Sequence, residues 1–168
     1  MNHELAIIGI SVSIIGVIIT LLLYRKVKNI EDSRRNEQKT HFKKLIISNI
    51  EEVLDIYQSA SVLSHRQTFT DQETHEKTIA LHNFFKKNKE NILRLVRDTK
   101  FYASMLSVVD TPSIDMDEVI EKIKWLHEDF YILDYPIKRN ERLWIGKEQE
   151  LRDNRDFIEC SLTSLHNL

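Results

Sequence analysis

From Leu5 to Tyr24 the chain reads LAIIGISVSIIGVIITLLLY, twenty residues without one charged side chain. As a helix rising about 1.5 Å per residue the run is roughly 30 Å long, the hydrocarbon thickness of a bilayer. Lipid offers no partner for backbone amides or carbonyls, so a lone span has to be helical. The run therefore predicts one transmembrane helix over residues 5–24, with residues 1–4 as a short external N-terminus and residues 25–168 as a cytoplasmic α-helical domain. The opening Met1-Asn2-His3-Glu4 lacks the basic start of a cleavable signal, and no small-residue cleavage site precedes Arg25, so the segment reads as a retained anchor.

Charge sets the expected topology. Arg25, Lys26, Lys28, Arg34, Arg35, Lys39, Lys43 and Lys44 follow the apolar run at once, against Glu31, Asp32 and Glu37 in the same window. Such an excess holds the C-terminal side in the cytoplasm and suits the anionic headgroups of an inner leaflet, with Tyr24 at the interfacial level. The expected location is a bacterial inner membrane, single-pass. The whole chain carries a formal charge of −2, which argues against a general nucleic-acid binder. One cysteine, Cys160, excludes an internal disulfide, and three glycines with two prolines leave little for a many-turned β fold.

The remaining sequence predicts an all-α fold, a bundle of about four helices below the span. Phe42, Leu45, Ile46, Ile50, Val53, Leu54 and Tyr57 recur at threes and fours, and nothing from Arg25 to Phe42 breaks a helix, although a thin apolar pattern over Asn29 to Thr40 allows a kink. A break is expected between Ser59 and Thr70, then a capping box at Thr70-Asp-Gln-Glu73 opening a second helix that carries Leu81, Phe84, Phe85, Ile92, Leu95, Val96, Tyr102, Met105, Leu106 and Val109. An interruption near Asn88 to Asn91 is allowed for. Asp110-Thr-Pro-Ser113 stops that helix, and Asp115 with Glu118 opens a third with Met116, Val119, Ile120, Ile123, Leu126 and Phe130 on its core face, ended by Pro136. A short piece holding Leu143, Trp144 and Ile145 is expected to close at Gly146. A last helix carries Leu151, Phe157, Ile158, Leu162 and Leu165.

Two constellations are candidates for function. Within the span, Gly9, Ser13, Gly16 and Thr20 are spaced by four, three and four and stack on one helical face, where small side chains let a second helix approach closely. One helix encloses no channel, so a pore requires a homo-oligomeric ring, in which Ser13 and Thr20 would form hydroxyl collars between isoleucines. The same stripe can instead be buried between helices and line nothing. The second constellation is Arg35-Asn36-x4-His41 just beneath the span. An imidazole exchanging a proton with a ribose 2′-hydroxyl, beside a guanidinium neutralising the phosphorane, cleaves RNA without a metal. On an intact helix, however, six positions leave Arg35 and His41 about 120° apart, whereas Arg34 and His41 share a face. His75 and His82 lie one helical face apart by seven residues, with no further ligand to complete a metal site, and Trp125, His127 and the segment from Tyr135 to Trp144 supply aromatic anchors for packing. No phosphate loop or nucleophile elbow is present, and neither cofactor nor metal is expected.

One N-terminal span, a helical cytoplasmic part and the R-N-x4-H sequence of Arg35, Asn36 and His41 together resemble the small membrane accessory proteins encoded beside the RNA-guided RNase of type VI-B CRISPR systems. The resemblance covers the chain by layout and these three residues by motif. It implies a HEPN-like signature, a ring-shaped membrane pore, and enhancement of the partner RNase in antiviral defence by depolarising the membrane. A membrane-tethered HEPN-like RNase using Arg35 and His41, and a membrane-anchored scaffold, are the alternative expectations.

Overall fold

The computed structural model describes residues 2–65, 71–110, 114–128 and 141–167, with side chains from Gly16 onward except those of Asp71, Thr74, His127, Glu128 and residues 141–146. Four helices follow in order: α1 (Asn2–Ser64), α2 (Asp71–Val109), α3 (Met116–Glu128) and α4 (Glu141–His166). The all-α expectation holds. The chain divides into two compact units, Met1–Thr40 and His41–Leu168. Among the described residues no helix is long and apolar enough to cross a membrane. Of the expected span, the side chains from Gly16 to Tyr24 are described and those from Leu5 to Ile15 are not.

The second unit is a four-helix packing whose core is read off helical spacing. Its share of α1 buries Ile46, Ile50, Val53, Tyr57 and Ala60; α2 buries Leu81, Phe85, Ile92, Leu95, Ala103 and Leu106; α3 buries Met116, Val119, Ile123 and Leu126; α4 buries Leu151, Ile158 and Leu165. Each set steps by threes, fours and sevens, with the step of eight in α2 from Leu95 to Ala103 bridged by the buried Thr99, which places one stripe per helix against the others. Phe42, Leu54, Phe84, Val96, Tyr102, Val109, Phe157 and Leu162 are partly buried at its margin.

Helix limits follow local chemistry. Asp115 caps α3: its Oδ1 accepts from the amides of Asp117 and Glu118, both at 3.1 Å, satisfying donors of the first turn. The sequence Thr70 to Glu73 brackets the start of α2 at Asp71, but Thr70 itself lies outside the described residues, as do Phe130, Pro136 and the stretch from Tyr135 to Asn140.

Three expectations are corrected. The interruption near Asn88 to Asn91 is absent: α2 is continuous, and the two asparagines are absorbed by side-chain bonds, Asn88 Nδ2 donating to the Phe84 carbonyl at 2.8 Å and Asn91 Nδ2 to Glu52 Oε1 at 2.8 Å. Gly146 does not close a separate short piece, since α4 runs through it with no positive-φ glycine, and a lone glycine costs a helix only about 1 kcal/mol. Met105 is exposed rather than buried, because the inward stripe of α2 passes through Ala103 and Leu106.

Several polar groups inside the bundle are paired, while the buried Ser61 Oγ has no hydrogen-bond partner among the described residues. Asn49 Nδ2 donates to Thr99 Oγ1 at 3.3 Å, both residues buried. Tyr57, fully buried, donates its hydroxyl to the Lys122 carbonyl of α3 at 2.7 Å and stacks on Trp125, ring centroids 6.4 Å apart and 6° from parallel. Burial, with the Glu150 carboxylate adding to it, holds the phenol far above its usual pKa, so it remains a donor at any physiological pH; Asn154 pulls weakly the other way. Trp125 in turn donates Nε1–H to Glu150 Oε1 at 2.7 Å, tying α3 to α4.

A partly exposed cluster ties α1 to α2. Arg94 Nη2 lies 2.7 Å from Glu52 Oε2, and Asn91 bonds both. The hydrogen bond from Arg94 holds the Glu52 carboxyl below its usual range, against the opposing pull of desolvation. A carboxylate depressed in the folded state contributes stability that is full above its unfolded pKa near 4.5 and is lost as pH falls through the lower folded value. Both partners are 41% exposed, so solvent screening limits the contribution to under about 1 kcal/mol. Thermal melts of Glu52→Gln should accordingly show a deficit at pH 7 that narrows below pH 4.5. Tyr57→Phe should cost about 1 kcal/mol at any pH in the same assay, or about 2–4 °C in melting temperature for a chain of this size.

Candidate functional site

Helical hydrogen bonding is unbroken from Asn2 to Ser64, so the residues singled out in the sequence all lie on one kind of backbone. The stretch from Asn29 to Thr40, where a kink was allowed, is helical throughout. Gly9 and Ser13 fall where the backbone alone is described; Gly16 and Thr20 are fully placed and exposed. A Cβ built on Gly16 meets nothing within 4 Å, so no contact inside the chain demands a glycine there. Thr20 donates its hydroxyl to the Gly16 carbonyl at 2.8 Å, one turn back along the helix. The proton of that hydroxyl is thus committed within the helix, and toward a second helix Thr20 can accept but not donate.

Around these positions every large side chain is apolar and uncovered. Val17, Ile18, Ile19, Leu21, Leu22, Leu23 and Tyr24 are each 50 to 66% exposed. Eight consecutive positions visit the whole circumference of a helix, so this is an apolar sleeve rather than one face. Fully removing an aliphatic side chain of this size from water gains about 1.5–3 kcal/mol, which leaves on the order of 10 kcal/mol unclaimed across the sleeve.

Below the sleeve the surface turns polar. Arg25, Lys26, Lys28, Arg34, Arg35 and Asn36 are exposed, and Thr40 donates its hydroxyl to the Asn36 carbonyl at 2.9 Å. His41 is exposed, with its ring 5.7 Å from that of Phe42. Residues 35 to 41 are all helical, with Arg34, Arg35 and Asn36 in the first compact unit and His41 at the start of the second.

Sequence reading passed over two residues in this segment. Val27 and Ile30 are 61% and 48% exposed, the two large apolar side chains between Arg25 and Thr40. Their signal was available: they continue by threes and fours the stripe through Gly16 and Thr20.

No other part of the described structure gathers chemistry of comparable weight. Among the described residues no group of three or more His, Cys, Asp or Glu side chains comes together. A cleft of about 410 Å³ lies between the end of α1 and α4, lined by Gln58, Ser61, His65, Glu148, Arg152 and Arg155. Its charges compensate one another: Glu148 lies 3.8 Å from His65 and 3.6 Å from Arg152, and Arg155 is paired with Asp156 at 2.7 Å. Ser61 Oγ, also in this lining, is buried without a hydrogen-bond partner among the described residues.

Because Gly16 supports no intrachain contact, Gly16→Ile should leave the helical content and melting temperature of the purified protein unchanged; a fall of several degrees would place that residue in the chain's own packing. Comparison with protein-family models, with curated proteins and with solved structures found no match for this chain.

Proposed function

We propose that the chain is an oligomeric membrane protein that forms a pore, perturbs membrane permeability in antiviral defence, and thereby enhances an RNA-guided RNase. The observation that carries the membrane part is the sleeve from Val17 to Tyr24, uncovered on all sides and continuous in sequence with the uncharged run from Leu5. Water is a poor solvent for such a helix, and a bilayer is the environment in which its surface is satisfied. The basic residues that follow, Arg25, Lys26, Lys28 and Arg34, keep the C-terminal part on the cytoplasmic side and rest against anionic headgroups. Small residues at Gly9, Ser13, Gly16 and Thr20 give the span a face on which copies pack, and a single helix can conduct only as one member of a ring. The defence role draws on the resemblance in layout and on the Arg35-Asn36-x4-His41 sequence.

On this reading no reaction is required of Arg35 and His41. The scaffold alternative draws on a different observation, the exposed strip of Phe101, Met105 and Val108 on α2, which no part of the described chain covers.

The test uses one host cell and two variants. Wild-type protein should sediment with membranes, resist extraction by salt and lower the membrane potential when the defence response is triggered. Gly16→Ile should stay in the membrane fraction yet lose depolarisation, and Arg35→Ala with His41→Ala should retain it. Protein recovered from the aqueous fraction without detergent would overturn the membrane reading. Loss of RNA cleavage in the Arg35/His41 double variant, with depolarisation absent from the wild type, would replace the pore by a nuclease.

A further inference from the structure

Past the sleeve, a water-exposed helix has no use for apolar side chains unless something covers them. Between Arg25 and Thr40 the sequence places two, Val27 and Ile30, and the structure leaves both uncovered. Their positions are not scattered. Gly16, Thr20, Leu23, Val27, Ile30 and Arg34 are separated by four, three, four, three and four residues, all within α1. That is the a and d spacing of a heptad repeat, which in a left-handed coiled coil keeps one seam toward a partner helix. Set out this way, Thr20, Val27 and Arg34 occupy a positions, and Gly16, Leu23 and Ile30 occupy d positions. The seam changes character along its length, from small residues within the sleeve to branched aliphatic ones below it.

The flanks of the seam name the partner. In this register Lys26 falls at g and Glu31 at the following e, the two positions that face each other across a parallel pair of identical helices. Both side chains are exposed. Lys26 of one copy meets Glu31 of its neighbour, and in a ring each chain makes one such contact to either side. An antiparallel pair does not bring these two residues together in this way.

From the spacing, the exposure and this charge pairing, we infer that residues 16–34 of α1 form a parallel, in-register seam with a second copy of this chain, extending the packing of the span by two further turns into the cytoplasm. The inference rests on the membrane-anchored reading above for the shared orientation of the copies. Anchoring also resolves a weakness of the seam, because about two heptads are too short to hold a coiled coil together in water. Two copies confined to one bilayer in the same orientation meet at a high effective concentration, and a short seam then suffices. The polar pair Arg34 and Glu37, next in the same register, ends the apolar stretch and lets the helices separate toward the bundle.

Cysteine cross-linking of the full-length chain in native membranes tests the seam. The chain's one cysteine, Cys160, is exposed and is first replaced by Ser. Single Val27→Cys and Ile30→Cys variants should form disulfide-linked dimers several-fold more than Lys28→Cys and Asn29→Cys, which the register turns away from the partner. In the Ile30→Cys background, Lys26→Glu should reduce the dimer about two- to fivefold, and adding Glu31→Lys should restore it. Equal cross-linking at all four positions, dominance of Lys28→Cys or Asn29→Cys, or no dimer at any of them would overturn the seam, the last being the outcome if lipid headgroups cover Val27 and Ile30. The expected pattern without any depolarisation would keep the seam and discard the pore.

Discussion

What the structure has to accommodate is an apolar surface that its own chain leaves uncovered. The six aliphatic side chains from Val17 to Leu23 stand half or more exposed, whereas the buried set on the same helix from Ile46 to Ala60 is almost wholly withdrawn from solvent. The two stretches obey one rule with different partners. In the second, aliphatic residues recur on one face and helices α2, α3 and α4 supply the cover. In the first they occupy every face, and nothing of the described chain answers them. An amphipathic stripe can be satisfied by one neighbouring helix, whereas an apolar sleeve is satisfied only where it is surrounded, by other protein or, on the proposed reading, by lipid.

Hydrophobic burial and a few buried polar bonds hold the bundle in shape. Its buried polar groups are specific ties rather than accidents. Tyr57 on α1 reaches the backbone of α3, Trp125 on α3 reaches Glu150 on α4, and Asn49 on α1 reaches Thr99 on α2. Each of these bonds joins a different pair of helices, so sliding one helix by a turn would leave at least one buried donor or acceptor unpaired, at a cost of about 1–3 kcal/mol. Hydrophobic burial gives the compactness and these ties fix the register.

Much of this was legible in the sequence, for reasons that can be named. The core residues of α1, α3 and α4 follow from periodicity because each helix has one buried face, and Asp115 was readable as a start because a carboxylate two and three residues ahead of free amides is a local device. What was misread depended on partners far away in sequence. Asn91 looked like a breaker until Glu52, thirty-nine residues earlier, was seen to accept from it. Met105 looked like core until the helix was turned by its neighbours so that Ala103 and Leu106 faced inward. At the candidate site the R-N-x4-H spacing was visible, but spacing does not say whether the backbone stays helical through it, as α1 does. Val27 and Ile30 escaped notice because two apolar residues among many charges carry little weight until their exposure and their alignment with Leu23 are known together.

The central claim is that the N-terminal part of α1 is satisfied by lipid and by other copies of itself. The mass of the particle extracted from membranes, with the detergent contribution separated by native mass spectrometry, tests this most directly. The account predicts a protein mass that is a fixed multiple of 19.9 kDa. A protein that leaves the membrane without detergent, or a detergent particle holding a single 19.9 kDa chain, would contradict it.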